Sequence, residues 1–175
     1  MLNEEFIVDS DAFITPYRTF YPLDLFPDFW SFIRREILSD NIKILDLVYV
    51  EIAPETDPLS DWLSAIKNLK KIDHRDSTII NNYSNILNYI QSCPFYKPAA
   101  LHSWATGTVA DPWIVATAIS HSFTVITFEK PNAGLIKNQP SKDVKIPDIC
   151  KQFNVKYESL FYMMRKLGFR NKVLG

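Results

Sequence analysis

Residues 111–129 read DPWIVATAISHSFTVITFE, and the two halves of this stretch follow different periods. Counting from Asp111, Ile114, Val115, Ala118 and Ile119 stand three, four, seven and eight positions on, which is one face of a helix. The second half, FTVITFE, is a β-branched and aromatic run that predicts a strand. Asp-Pro at the front supplies N-cap and N1 chemistry for the helix. A helix leading straight into a strand is the repeating unit of an α/β fold.

The flanking sequence repeats the alternation. EEFIVDSD, residues 4–11, predicts a short apolar strand stopped by an acidic turn. FPDFWSFIRREILSD, residues 26–40, places Phe29, Phe32, Ile33 and Ile37 at helical spacing. IKILDLVYVEIAP, residues 42–54, begins as a strand and turns helical. DPLSDWLSAIKNLK and DSTIINNYSNILNYIQS are helical, and residues 130–147, with Pro131, Pro140 and Pro147, predict a loop. PDICKQFN and YESLFYMMRKLG predict two last helices, the latter closing at Gly168 with Arg165 and Lys166 in its final turn. Strands separated by helices point to an α/β fold with a parallel sheet between helical layers. In such sheets the working groups gather at the carboxyl ends of the strands.

Composition narrows the class. A chain of 175 residues with 47% hydrophobic and 22% charged residues forms one ordinary domain, 1–175, and is neither disordered nor fibrous. Its 4 glycines form no GxGxxG and no GxxxxGK[ST], against a dinucleotide site or a P-loop. Cys93 and Cys150 have no CxxC partner, which argues against a zinc knuckle or a disulfide framework. The acidic start, MLNEEFIVDSD, is unlike a signal peptide, and no apolar run is long enough to span a bilayer, so a cytoplasmic protein without a membrane partner is expected. Charge is uneven: residues 1–129 hold 9 Lys and Arg against 17 Asp and Glu, whereas 130–175 hold 10 against 3. The acidic front and basic tail predict two surfaces of different character.

Several acids stand where strands end. Asp9 and Asp11 directly follow the first strand, where one would suffice as a helix cap. Asp111 shares a face with apolar residues, at the rim of the buried stripe. Glu51 sits in LVYVEIA with no Lys or Arg nearby, one turn after Leu47 and Val48. Burying such a glutamate costs several kcal/mol, or raises its pKa, unless a cation compensates it. Glu129 ends VITFE, with Thr127 on the same side two residues earlier. Asp46, Asp57 and Asp61 read as surface or capping groups. Two carboxylates about 5 Å apart repel by roughly 3 kcal/mol at an effective dielectric near 20, so a converging set calls for a cation. All-oxygen ligands suit Mg²⁺ or Mn²⁺, and hard ions on clustered acids point to phosphate-ester chemistry.

Asp9, Glu51, Asp111 and Glu129, in this order and on these elements, resemble the acidic quartet of PIN-domain nucleases. FIVDSDAFITP resembles the opening strand of that superfamily, LVYVEI its second acidic motif, ADPWIVATA its third, and VITFE the strand carrying its fourth position. With FYPLDLFPDFW and VKIPDIC, the set resembles one bacterial PIN-like subfamily over residues 5–169. The resemblance implies a three-layer α/β/α domain around a parallel sheet of four or five strands. It also implies metal-dependent cleavage of RNA, with Asp9, Asp111, Glu51 and Asp11 toward Mg²⁺ or Mn²⁺, and in many members a toxin role with a cognate antitoxin protein. Asp11 departs from the pattern, standing where many members have Asn or Ser. Lys137, Lys142 and Lys145 in the basic loop, with Arg165 and Lys166 on the last helix, are the candidate RNA contacts. A homodimer through the aromatic helix near residues 26–37 is a further expectation of the family.

Two rival readings compete. Asp-Ser-Asp after an apolar strand resembles the opening of haloacid-dehalogenase-type phosphatases, with Asp9 as nucleophile and Asp11 as acid/base. That family also needs a later acidic pair after a glycine turn, which this sequence lacks. The other rival is a catalytically inert PIN-like protein-binding module, in which the acids only cap helices and Trp30, Trp62, Trp104 or Trp113 serve an interface.

Overall fold

Phe6, Ile7 and Val8 are all buried, as in a strand covered on both faces. They form β1 (Phe6–Val8). In the computed structural model, which describes residues 4–135 and 138–170, β1 leads into α1 (Asp11–Thr15) and a π-helical turn, Pro16–Phe20. Then come α2 (Pro27–Leu38), β2 (Ile42–Leu45), α3 (Asp46–Ile52), α4 (Pro58–Ser64) and β3 (Lys71–Ile72). These are followed by α5 (Ser77–Ser92), α6 (Pro98–Trp104), α7 (Asp111–His121) and β4 (Thr124–Ile126). The described chain ends with α8 (Ile146–Gln152), β5 (Tyr157–Glu158) and α9 (Leu160–Lys166).

The strands pair in the order β3-β2-β1-β4-β5, and every pairing is parallel. Parallel neighbours require crossover connections, and here helices supply them on both faces, giving three α/β/α layers. Because β1 pairs with β2 on one side and with β4 on the other, the order of the strands reverses at β1. The carboxyl ends of β1 and β4 therefore flank a topological switch point, where open α/β sheets form their crevice.

The spacing in residues 26–40 produces α2 as expected, and Phe29, Phe32, Ile33 and Ile37 are all buried. Trp30, on the same helix, is buried too, and its indole N–H donates to the Tyr21 carbonyl at 2.7 Å. The apolar face of α2 thus lies in this chain's own core. Trp104 and Trp113 are likewise buried.

Three details differ from the sequence reading. The stretch from Tyr157 was expected to be helical throughout, yet Tyr157 and Glu158 pair with Val125 and Ile126 as the edge strand β5. Its helix begins only at Leu160, where the Ser159 hydroxyl accepts the Tyr162 N–H at 3.2 Å as N-cap. The other end matches: Gly168 takes φ +76° just past α9, the left-handed position where glycine carries no penalty. β3 and α6 were not foreseen. Among the described residues no helix is long and apolar enough to cross a membrane.

Candidate active site

Asp9 directly follows β1 and is 4% exposed. Its backbone N–H continues the sheet ladder to the Ile126 carbonyl at 3.0 Å, so its position is fixed by the pairing of β1 with β4. The Thr127 hydroxyl, one residue beyond β4, donates to Asp9 Oδ2 at 3.0 Å, and Ser10 Oγ donates to Oδ1 at 3.4 Å.

Thr127 is also the link to the next acid, because its hydroxyl oxygen accepts the Glu129 N–H at 3.0 Å. Glu129 was expected to end the strand, but β4 stops at Ile126 and Glu129 lies in the segment beyond it. There its carboxylate is gripped twice. Lys145 Nζ donates to Oε1 at 2.7 Å, and the Ile146 N–H at the start of α8 donates to Oε2 at 2.8 Å.

Asp111 is the first residue of α7, with Ala110 as the N-cap residue, and it makes no capping hydrogen bond. A crossover helix runs back against the strands, which brings its N-terminus to the sheet's carboxyl edge. Glu51, near the end of α3, reaches the same place: its Oε1 accepts the Ala110 N–H at 3.3 Å. The burial foreseen for Glu51 does not occur. Val48 and Ile52 turn inward, whereas Glu51 is exposed. Asp11 opens α1 and is also exposed.

These acids share one electrostatic field. Burial pushes the Asp9 carboxyl up to about 6, and the charges of Asp11, Glu129 and Glu51 push the same way against the Thr127 hydrogen bond. Burial pushes Asp111 up to about 7, reinforced by Asp9, Glu129 and Glu51 and opposed by Lys145. The quartet and Asp11 therefore meet around the switch point. They remain loosely spaced: among the described residues, the group of three ligands with atoms within 4.8 Å of one another is Asp46, Asp73 and His74.

That tighter trio lies along the same edge, Asp46 after β2 and Asp73 with His74 after β3. Its own hydrogen bonds account for it. His74 Nδ1 and Asp46 Oδ2 are 2.7 Å apart, and the Arg75 guanidinium binds both oxygens of Asp73 at 2.9 Å, holding that carboxyl down at about 2. Asp46 is thus more than the surface or capping group expected. Asp57 does cap α4, accepting the Ser60 N–H at 2.8 Å, while Asp61 is exposed.

The candidate RNA contacts differ in their surroundings. Lys145 is tied to Glu129, Lys142 is exposed in the loop before α8, and Arg165 and Lys166 are exposed in the last turn of α9. Lys137 lies outside the described residues.

Residues 6–171 match the family described as Domain of unknown function (DUF4411). The chain belongs to this family. Every strand and helix described above falls within the DUF4411 match, as do Asp9, Asp11, Glu51, Asp111, Glu129 and Lys145. No curated protein and no solved structure matches the chain. The DUF4411 description carries no activity, so the chemistry rests on the geometry.

Proposed function

We propose that this protein is a cytoplasmic, metal-dependent endoribonuclease that hydrolyses RNA phosphodiester bonds with Mg²⁺ or Mn²⁺. What carries the reading is the meeting of Asp9, Asp11, Glu51, Asp111 and Glu129 at the switch point, with the two most buried carboxyls pushed up to about 6 and 7. The choice of RNA rests on the resemblance to PIN-domain nucleases.

The donor set fits a hard divalent cation. It is all oxygen, its mutual repulsion is opposed at Asp111 by one ammonium group, and a cation would relieve the rest. Asp9 and Asp111 would hold the ion. No three of these carboxylates lie within 4.8 Å of one another, so water would have to complete the shell of an ion held by Asp9 and Asp111. When bound, such an ion acidifies a water and neutralises charge on the scissile phosphate. Thr127 fixes the Asp9 carboxylate, Glu51 ties the end of α3 to the start of α7 beside Asp111, and Lys145 with the Ile146 N–H holds Glu129 still.

The direct test incubates the protein with structured and unstructured RNAs in Mn²⁺. Cleavage that EDTA stops is expected. Intact RNA together with a melting temperature indifferent to Mn²⁺ would sink the proposal.

Lys145 gives a second check. Its ammonium is 2.7 Å from Glu129 and its charge reaches Asp111, so it acts as a built-in counter-charge among the acids. Lys145→Met is expected to destabilise the metal-free protein at pH 8 by about 1 kcal/mol, a modest figure because the lysine is partly exposed. It should also tighten Mn²⁺ binding several-fold, since a competing positive charge is gone. Isothermal titration reads this directly. Weaker RNA binding with unchanged Mn²⁺ affinity would make Lys145 a phosphate contact instead.

A further inference from the structure

Three phenylalanines meet on the surface, one of them in the segment that joins Thr127 to Glu129. Phe20 stacks on Phe128 with ring centroids 6.3 Å apart and 18° between the planes, and Phe161 meets Phe20 at 6.3 Å and 63°. Phe20 is 47% exposed and Phe161 38% exposed, while Phe128 is half-buried beneath them. The rings come from three separate elements: the end of the π-helical turn, the segment after β4, and α9. Phe128 is chained to the acids, standing between Thr127, which bonds Asp9, and Glu129.

Two of the rings have a cation on their own segment. Lys130 follows Phe128 by two residues, and Arg165 stands one helical turn after Phe161. Both cations are exposed, and neither joins an ion pair among the described residues. Exposed rings flanked by unpaired cations match the chemistry of a single strand, whose bases offer π-faces and whose linkages carry negative charge. A duplex offers no such faces, because its bases are already stacked inside.

We infer that Phe20, Phe128 and Phe161 form a platform on which unpaired bases of an RNA strand stack, placing the strand's backbone beside Asp9 and Glu129. This inference rests on the nuclease reading above. It makes the substrate single-stranded at the cleavage point, and it assigns the rings to positioning rather than to chemistry.

The test uses the Asp111→Asn protein, to separate binding from cleavage, with fluorescein-labelled RNA strands of about 12 nucleotides and duplexes of the same sequence. Phe20→Ala with Phe161→Ala is expected to weaken single-strand binding by about tenfold or more, as base–aromatic stacking predicts, and to leave duplex binding unchanged. Phe20→Tyr with Phe161→Tyr should stay close to the parent, and melting temperatures should hold, since both rings are exposed. Unchanged single-strand affinity in the alanine pair, while the unmodified protein still cleaves RNA, overturns the platform and leaves the nuclease standing. The same result with loss of self-association in sedimentation also overturns it and gives the rings to a protein contact. If the unmodified protein neither binds nor cleaves any RNA, the nuclease reading itself has failed.

Discussion

Asp111→Asn is expected to lower Mn²⁺-dependent RNA cleavage on the order of a thousandfold, because it removes one of the two carboxylates that would hold the ion. The same change should raise the stability of the metal-free protein at pH 8 by about 1 kcal/mol or more. The physical reason is that the Asp111 carboxyl is pushed up to about 7 by burial and by Asp9, Glu129 and Glu51, so its ionised form is disfavoured in the fold. Two terms oppose the gain. Lys145 is attracted to the ionised form, and an acid at a helix start favours the positive end of the dipole by roughly 0.3–1 kcal/mol. No capping hydrogen bond is lost, since Asp111 makes none. Asp61→Asn, on the exposed face of α4, is the matched control and should change neither property. The decisive reading is a thermal melt with and without Mn²⁺. A variant that gains metal-free stability but no longer responds to Mn²⁺ has lost an ion site. A variant that loses metal-free stability and still responds has lost only a favourable charge at a helix end.

Much of this arrangement is legible in the sequence because the relevant signals are local. The three-four-seven-eight spacing after Asp111 already places its carboxylate at the edge of the stripe that packs on the sheet. The Val8-Asp9 junction marks the end of a buried strand, and in a parallel sheet all such ends lie on one edge. Thr127 could be placed beside Glu129 from strand alternation, though the segment leaves the sheet at Ile126 and a hydrogen bond through the hydroxyl keeps the two together. Glu51 shows the limit of the same logic. Its position on α3 was readable, but the choice of which neighbour turns inward was not, and Ile52 takes the buried place.

What stayed hidden depends on contacts between residues far apart in the chain. β5 has two residues and no periodicity of its own; only the exposed edge of β4 makes Tyr157 and Glu158 a strand. Lys145 reads as a phosphate contact from its place in a basic loop, yet the fold brings it 2.7 Å from an acid sixteen positions earlier. His74 and Asp46, twenty-eight positions apart, meet only because β2 and β3 are neighbours. The aromatic platform has the same origin. Phe20, Phe128 and Phe161 lie far apart in the chain, and their shared exposed surface exists only once three distant segments are assembled.

The metal-free protein is expected to lose stability as pH rises from 5 to 8, opposite to the usual carboxylate-rich domain. Asp9 titrates at about 6 and Asp111 at about 7, both above the 3.8 of an ordinary aspartate. Between roughly pH 4 and 7 the folded state therefore holds more protons than the unfolded chain, and stability falls as those protons leave. A full shift at Asp111 alone would be worth about 4 kcal/mol. The two sites are coupled and the crevice is open, so a combined loss of about 2–4 kcal/mol is the working expectation. The carboxyls held low, such as Asp73 and Asp40, act in the opposite sense, but they are exposed and titrate below this window. Mn²⁺ should flatten the slope, because it binds the deprotonated pair and takes the place of the protons. Binding near pH 6.5 should then release protons, seen as a calorimetric heat that varies with the ionisation enthalpy of the buffer. Urea melts across this range in EDTA, repeated on Asp9→Asn with Asp111→Asn, isolate the effect, and the double variant should lose the slope. Stability that instead climbs steadily from pH 5 to 8 without metal would mean that the two carboxyls ionise freely, and that the crevice does not concentrate charge for a cation.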